Sequence, residues 1–357
     1  MVGVLAGGFK MKFTDRKVVI LKDIIDKFVE RADPVSSKMI AQDSDFDLSS
    51  STIRKEMAEL EEMGYLTHPH TSAGRMPTDK GYRFYVDNVI REEINLDEGT
   101  YGRNTGAFEI AVDKDMEIDA ILQKSTEMLA NFTNYLSMIV APTIQQSRYK
   151  HIELLRFDSG NVLMVLITDT GRVYKRSALV DAKYTELDLQ AAANIMNLQL
   201  RDKNIIDISS GDIRIQKSDP SLILLINKVI EMIRECIKEN LQYNKIFVYG
   251  TSVILQHPEF IELKKIHNVL RVIENECLLM KLLLDFSDES GFVVKIGSEL
   301  FEEGTQDLSL IASRYKIYGS SSGAIGVLGP KRMDYCKVIK SLNLFRKGLT
   351  EIFSSRA

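Results

Sequence analysis

The chain has 357 residues, 45% of them hydrophobic and 27% charged, with only 7 prolines, a balance that excludes a disordered or fibrous protein and suits two or three folded domains. Its three cysteines, Cys236, Cys277 and Cys336, are odd in number and far apart, which argues against a disulfide framework or a cysteine metal site and fits a reducing cytoplasm. A net charge of -4 gives the whole chain no electrostatic pull toward nucleic acid. No apolar run approaches the length that crosses a bilayer, so no membrane span is expected.

Met1 to Phe9 is apolar but short and is followed by Lys10 and Lys12; it reads as a loose extension. Thr14 caps a helix running to about Arg31, in which Val18, Leu21, Ile24, Ile25 and Phe28 recur on one face. Asp33-Pro34 breaks it, and Ser36 or Ser37 opens a short second helix over Lys38 to Gln42. The hydroxyl run Ser49 to Thr52 then opens a third helix, Ile53 to Met63, with Ile53, Met57 and Leu60 inward and Gly64 as terminator. Tyr65-Leu66-Thr67 and Arg75-Met76 read as two short strands around a Pro/Gly/Ser turn, and Pro77-Thr78-Asp79 starts a fourth helix. Three helices, a two-stranded wing and a following helix make a winged helix-turn-helix.

A polar stretch then reads as a linker. Beyond it, a helix near Ala120 to Phe132 precedes strand-like segments at Tyr135 to Val140, His151 to Phe157, Val162 to Ile167 and Arg172 to Ser177, expected as one antiparallel sheet. Two helical stretches, Leu187 to Arg201 and Ser221 to Gln242, interrupt the strands. Strands resume at Lys245 to Tyr249, Phe292 to Ile296, Ser309 to Tyr318 and Ala324 to Val327, with helices at Lys264 to Leu284 and Lys331 to Phe353. The expected class is α+β, divided into a winged-helix domain over 12–92, a linker over 93–118, an antiparallel-sheet domain in two parts over 119–181 and 245–355, and a mainly helical insertion over 182–244.

Between Lys12 and Arg91 thirteen Lys/Arg face fourteen Asp/Glu, so placement has to carry any case for DNA binding. On the third helix Ser51 and Lys55 point outward with Arg54 at the margin, near the end where base-edge readers usually sit. From this helix alone, a capped surface helix with scattered charges is an equal reading. The wing adds His68, His70, Thr71, Ser72 and Arg75, a donor-rich tip suited to phosphate or minor-groove contact. Ser37, Lys38, Ser51, Thr52, Arg54, Lys55, His70, Thr71, Ser72 and Arg75 are the candidate DNA contacts.

His68 and His70 lack a neighbouring thiol or carboxylate, so no metal is expected. Gly319, Gly323, Gly326 and Gly329 do not match a phosphate loop and read as turn and packing glycines. No acid-base pair or nucleophile motif stands out, so neither catalysis nor a cofactor is expected. Cys236 and Cys277 read as buried structural thiols. The face Leu222, Leu225, Ile226, Val229 and Ile233 reads as ordinary core or as a surface buried against a second subunit, and is assigned to dimerisation.

Three motifs carry a family resemblance: Pro34-Val35-x-Ser37, Ser51-Thr52-Ile53-Arg54-x-Glu56-Met57-Ala58-x-Leu60-Glu61, and the long run from Pro69-His70-Thr71-Ser72-Ala73-Gly74-Arg75 through Pro77-Thr78-x-Lys80-Gly81-Tyr82-Arg83 to Tyr85-Val86-Asp87. With His151-Ile152-Glu153-Leu154, Pro258-Glu259-Phe260 and Gly326 to Tyr335, the chain resembles the heat-inducible transcription repressor family HrcA. That resemblance implies a winged-helix domain, a GAF-like sheet domain and a dimerising domain inserted into it. It also implies a homodimer repressing chaperone operons through the inverted-repeat CIRCE operator, with the GroE chaperonin as partner. A regulator whose sheet domain senses a small molecule is the alternative, and an enzyme with a winged-helix accessory module a weak third.

Overall fold

A computed structural model describes residues 15–43, 48–69, 74–90, 116–142, 147–210, 222–240, 245–285, 291–317 and 322–354. The apolar extension at the start of the chain and nearly all of the expected linker lie outside them.

Helix α1 (Asp15–Arg31) buries Ile20, Leu21, Ile24 and Ile25, the stripe its periodicity announces. Helix α2 (Ser37–Asp43) leads to α3 (Ser50–Glu62), where Ser49 caps by accepting the Thr52 N–H and Ile53, Met57 and Leu60 are buried. Strands β1 (Leu66–Thr67) and β2 (Met76–Pro77) pair antiparallel as the wing stem, and Val35 bridges Arg75 on the far side. The expected strand Arg75-Met76 is thus displaced by one residue, because Arg75 is occupied by Val35. Helix α4 (Asp79–Tyr85) runs on as a π-helical turn through Val86–Ile90.

The second half opens with α5 (Ile118–Thr133), whose turn into β3 (Leu136–Val140) uses Asn134 in the left-handed region. Strands β4 (Tyr149–Arg156), β5 (Asn161–Thr168) and β6 (Val173–Leu179) then form their own three-stranded sheet. This corrects the expectation that they share a sheet with β3. Tight turns pair them with one another, and buried Val162, Met164 and Leu166 face helices α6 (Glu186–Leu200) and α8 (Ile223–Asn240), with the short α7 (Ile205–Ser210) alongside. One hydrophobic core, running from Tyr149 to Ile237, holds this unit together. The break in the main sheet therefore begins before β4 rather than at residue 182.

The main sheet resumes with β7 (Ile246–Tyr249), followed by the one-turn α9 (Thr251–Ile254), α10 (Leu263–Glu274) and α11 (Glu276–Leu284). Asn275 divides what periodicity reads as one helix, since its side chain accepts the Leu278 N–H and caps α11. Strands β8 (Phe292–Ile296), β9 (Leu308–Lys316) and β10 (Ser322–Pro330) complete a five-stranded antiparallel sheet of order β7-β3-β10-β9-β8. Helix α12 (Tyr335–Ser354) lies against it.

Two expectations about buried groups change. Leu222, Leu225, Ile226, Val229 and Ile233 are at most 9% exposed, packed in their own chain's core under β4–β6, so they are not available to a second subunit. Cys236 is buried, with its thiol pushed up to about 11 by desolvation, but Cys277 on the polar side of α11 is exposed. No helix among the described residues is long and apolar enough to cross a membrane.

Candidate nucleic-acid interface

The outer surface of α3 is built by a hydroxyl cluster at its start. The Ser49 Oγ lies 2.8 Å from Ser51 Oγ and 2.9 Å from Thr52 Oγ1, so the cap fixes both hydroxyls that sequence assigns to DNA. Ser51, Arg54 and Lys55 are exposed, Thr52 is half-buried, and neither Arg54 nor Lys55 forms an ion pair with a described residue. Lys38 is exposed on α2. Ser37 is not: it is 7% exposed and its Oγ sits 3.0 Å from Ser50 Oγ, tying α2 to the start of α3. Its hydroxyl is turned to α3 and is largely hidden from solvent, unlike those of Ser51 and Thr52.

The acids on α3 that cancel the local charge are drawn away from this surface. Lys17 of α1 pairs with Glu56 at 3.1 Å and Glu59 at 2.8 Å, and Arg16 reaches Glu56 at 3.8 Å. The Lys17 hydrogen bond holds the Glu59 carboxyl below the usual carboxylate range, and the same contacts raise Lys17. Balanced charge in the segment thus resolves into an acid-base seam between α1 and α3 and outward cations at Arg54 and Lys55.

In the wing, Glu61 is the residue that sequence reasoning missed. Its carboxylate takes His68 Nδ1 on one oxygen and Arg75 Nε, at 2.7 Å, on the other. Arg75 is half-buried and held by Glu61, so it supports the wing stem instead of projecting freely. His70, Thr71 and Ser72 lie outside the described residues. Gly74 is required where the wing crosses Pro34-Val35, since a Cβ there would stand 2.5 Å from the Pro34 carbonyl oxygen.

The segment after the wing turns out to be scaffolding. Thr78 caps α4 and donates to the Gly64 carbonyl at 2.7 Å. Lys80 donates to the Met63 carbonyl at 2.7 Å and lies over the Tyr65 ring, satisfying the end of α3. Asp79 and Arg83 reach the sheet domain: Asp79 pairs with Lys331 at 2.8 Å, and Arg83 binds the Glu299 carboxylate and the Val294 carbonyl. Arg332 completes the joint with Glu259 and the Val29 carbonyl. No spacing signal in the sequence links these partners, because they meet only when the two domains pack.

Among the described residues no group of histidine, cysteine and carboxylate side chains is arranged to hold a metal. Three helices packed beneath a wing, with exposed cations and hydroxyls on the third, define a winged-helix DNA-binding regulator. A sequence model of the Ribonuclease R winged-helix domain matches residues 22–84, and one of the HrcA protein C-terminal domain matches residues 119–339. The heat-inducible transcription repressor HrcA of Thermoanaerobacter sp. (strain X514) is 37% identical over 97% of this chain and 98% of its own length. That of Pelotomaculum thermopropionicum is 32% identical over 96% and 97%. A crystal structure described only as a hypothetical protein shares the fold, with TM-score 0.64 at 23% identity over 97% of this chain and all of its own. The chain belongs to the HrcA family of heat-inducible transcription repressors, regulators and not enzymes.

Proposed function

We propose that this chain is a homodimer repressing chaperone operons, with two α3 helices placed in successive major grooves of an inverted-repeat operator of the CIRCE type. The observation that carries this is the outer face of α3, where Ser51, Arg54 and Lys55 are exposed while Glu56 and Glu59 are engaged by Lys17. Arg54 and Lys55 supply base or phosphate contacts, Ser51, Thr52 and Lys38 fix register on the backbone, and His70, Thr71 and Ser72 of the wing approach the neighbouring groove.

A GAF-like assignment for the main sheet is supported by its order, β7-β3-β10-β9-β8, with the unit from Tyr149 to Ile237 inserted between its first two strands in sequence. Dimerisation through that inserted unit is supported by its surface: of fifteen exposed large hydrophobics among the described residues, nine fall between Leu155 and Leu224. The GroE chaperonin is the partner that the family resemblance implies.

Gel-shift titration tests the reading. An inverted-repeat operator should bind more than about a thousandfold tighter than a scrambled duplex at matched salt. Equal affinity for both overturns it. A cleft of about 860 Å³ lined by Asp119, Lys150, Asp169, Arg172 and Lys245 favours a small effector, although Arg172 and Lys245 are already drawn to Asp119. A metabolite that shifts operator affinity would decide for that second reading.

A further inference from the structure

Glu61 sits on the last turn of α3 and holds one side chain from each arm of the wing. Its Oε1 is taken by Nδ1 of His68, which follows β1, and its Oε2 stands 2.7 Å from Nε of Arg75, which precedes β2. The backbone at Arg75 is fixed independently: its N–H donates to the Val35 carbonyl at 2.8 Å, and its own carbonyl accepts the Val35 N–H at 2.9 Å. Only the guanidinium is left for the carboxylate to place.

An arginine that meets an unoccupied carboxylate tends to close on it with two parallel N–H groups. Here His68 already holds one oxygen, so Arg75 makes its closest approach to Glu61 through Nε, which is buried there. Neither Nη1 nor Nη2 of Arg75 forms a hydrogen bond with a described residue.

The place of this contact on α3 decides what those two amines can meet. Glu61 comes almost two turns after Arg54, on the same side of the helix and about 10 Å further along. The major groove is about 12 Å wide. With Arg54 inside the groove, Arg75 therefore stands at its rim, where the sugar-phosphate backbone runs.

We propose that Glu61 and His68 are positioning residues that present Arg75 to a backbone phosphate of the bound duplex. The inference rests on the DNA-binding reading above and adds two residues to it. Glu61 grips the guanidinium by its inner nitrogen, and His68, by occupying the other oxygen, keeps the outer fork open for two oxygens of one phosphate. A guanidinium placed in advance loses little rotamer freedom when it binds. The contact carries no base information, so it strengthens operator and other DNA alike. The Glu61 charge alone repels the duplex, so positioning and repulsion give opposite signs when the carboxylate is removed.

The test is fluorescence anisotropy of the full chain with an operator and a scrambled duplex at three salt concentrations, with circular dichroism confirming the fold of each variant. Arg75→Ala should weaken both duplexes by about threefold to tenfold and lower the log-log salt slope by about one. His68→Ala should do the same, because Oε1 is freed and the arginine fork closes on Glu61. His68→Asn, whose amide nitrogen can take the place of Nδ1, should restore wild-type binding. Glu61→Ala should weaken both duplexes although it removes a negative charge. In an Arg75→Ala background neither His68→Ala nor Glu61→Ala should weaken binding further.

A His68→Ala loss that persists in that background overturns the proposal, since the imidazole would then touch DNA itself or hold the wing. Wild-type affinity in His68→Ala overturns it too, as does a Glu61→Ala variant that binds both duplexes more tightly. Equal wild-type affinity for operator and scrambled duplex removes the operator reading instead, and leaves the phosphate contact measurable on either duplex.

Discussion

Arg83 of α4 closes on Glu299, its Nε donating to Oε1 at 2.9 Å across 216 residues of sequence. The contact joins the DNA-binding head to the sheet domain, reinforced by Asp79 with Lys331 and by the tilted packing of the Tyr82 ring against Tyr335. Glu299 also accepts the Ile296 N–H at 2.9 Å, so its carboxylate is pre-oriented for Arg83. Arg83→Ala should cost about 1 to 2 kcal/mol, a range lowered because both side chains remain partly exposed. Combined with Lys331→Ala, it should split urea unfolding into an early transition of the winged helix and a later one of the sheet domain. Fluorescence and circular dichroism melts that stay coincident would show that the apolar part of the joint suffices.

The exposed cations of α3 lead to a second expectation. If Lys55 reads a base edge, Lys55→Ala should lose about 1 to 3 kcal/mol for the operator and little for a scrambled duplex. If it meets phosphate, both duplexes should weaken alike and the log-log salt slope should fall by about one. Arg54→Ala is expected to behave as a reader in the same assay. Anisotropy titrations at three salt concentrations separate the two roles.

Gly74 and Gly81 test why the family motif is so exacting. At either position an added methyl collides with backbone carbonyls, those of Pro34 for Gly74 and Tyr65 for Gly81, which cannot swing away as a side chain would. Gly74→Ala and Gly81→Ala should each destabilise the head by about 1 to 3 kcal/mol, read as a lower urea midpoint with unchanged slope. Full wild-type stability would mean that the wing relaxes at no cost.

Local pattern made the helices and wing of the head legible, because capping serines and apolar spacing act within one or two turns. It did not reveal what Asp79, Arg83 and Lys80 do. Their partners lie on other elements, and spacing along the chain carries no sign of contacts that form only when those elements pack. Strands β4–β6 were visible as strands but not as a separate sheet, since alternation reports a half-buried strand without saying which layer covers it. Ser37 was misplaced for a related reason: a serine at a helix start reads the same whether its hydroxyl faces solvent or Ser50.

The seam between α1 and α3 gives a pH dependence. Glu59 is depressed in the folded head by its hydrogen bond to Lys17, so its contribution is present above the carboxylate's ordinary range and is lost as pH falls through the folded value. Lys17 is raised by the same contacts, so its share is kept at neutral pH and lost only in strong alkali. Glu59→Gln should therefore flatten the acid side of the head's stability profile and leave the neutral side with a smaller, constant loss. An unchanged acid limb in urea melts between neutrality and moderate acid would show that the pair contributes nothing there.

The apolar face of α8 separates core from interface. Ile233 is fully buried and Val229 1% exposed within their own chain, so Ile233→Ala should leave a cavity and cost about 2 to 5 kcal/mol in the inserted unit. A residue of an intersubunit contact behaves differently: truncation raises the dimer dissociation constant while the monomer keeps its stability. The expected result for Ile233→Ala is a lower melting temperature with an unchanged dissociation constant, measured below the onset of unfolding. If Ile233→Ala instead dissociated a fully folded dimer, α8 would have to leave its own core to meet the partner, and the packing of Leu225, Val229 and Ile233 beneath β5 and β6 would describe only one of two arrangements of the unit.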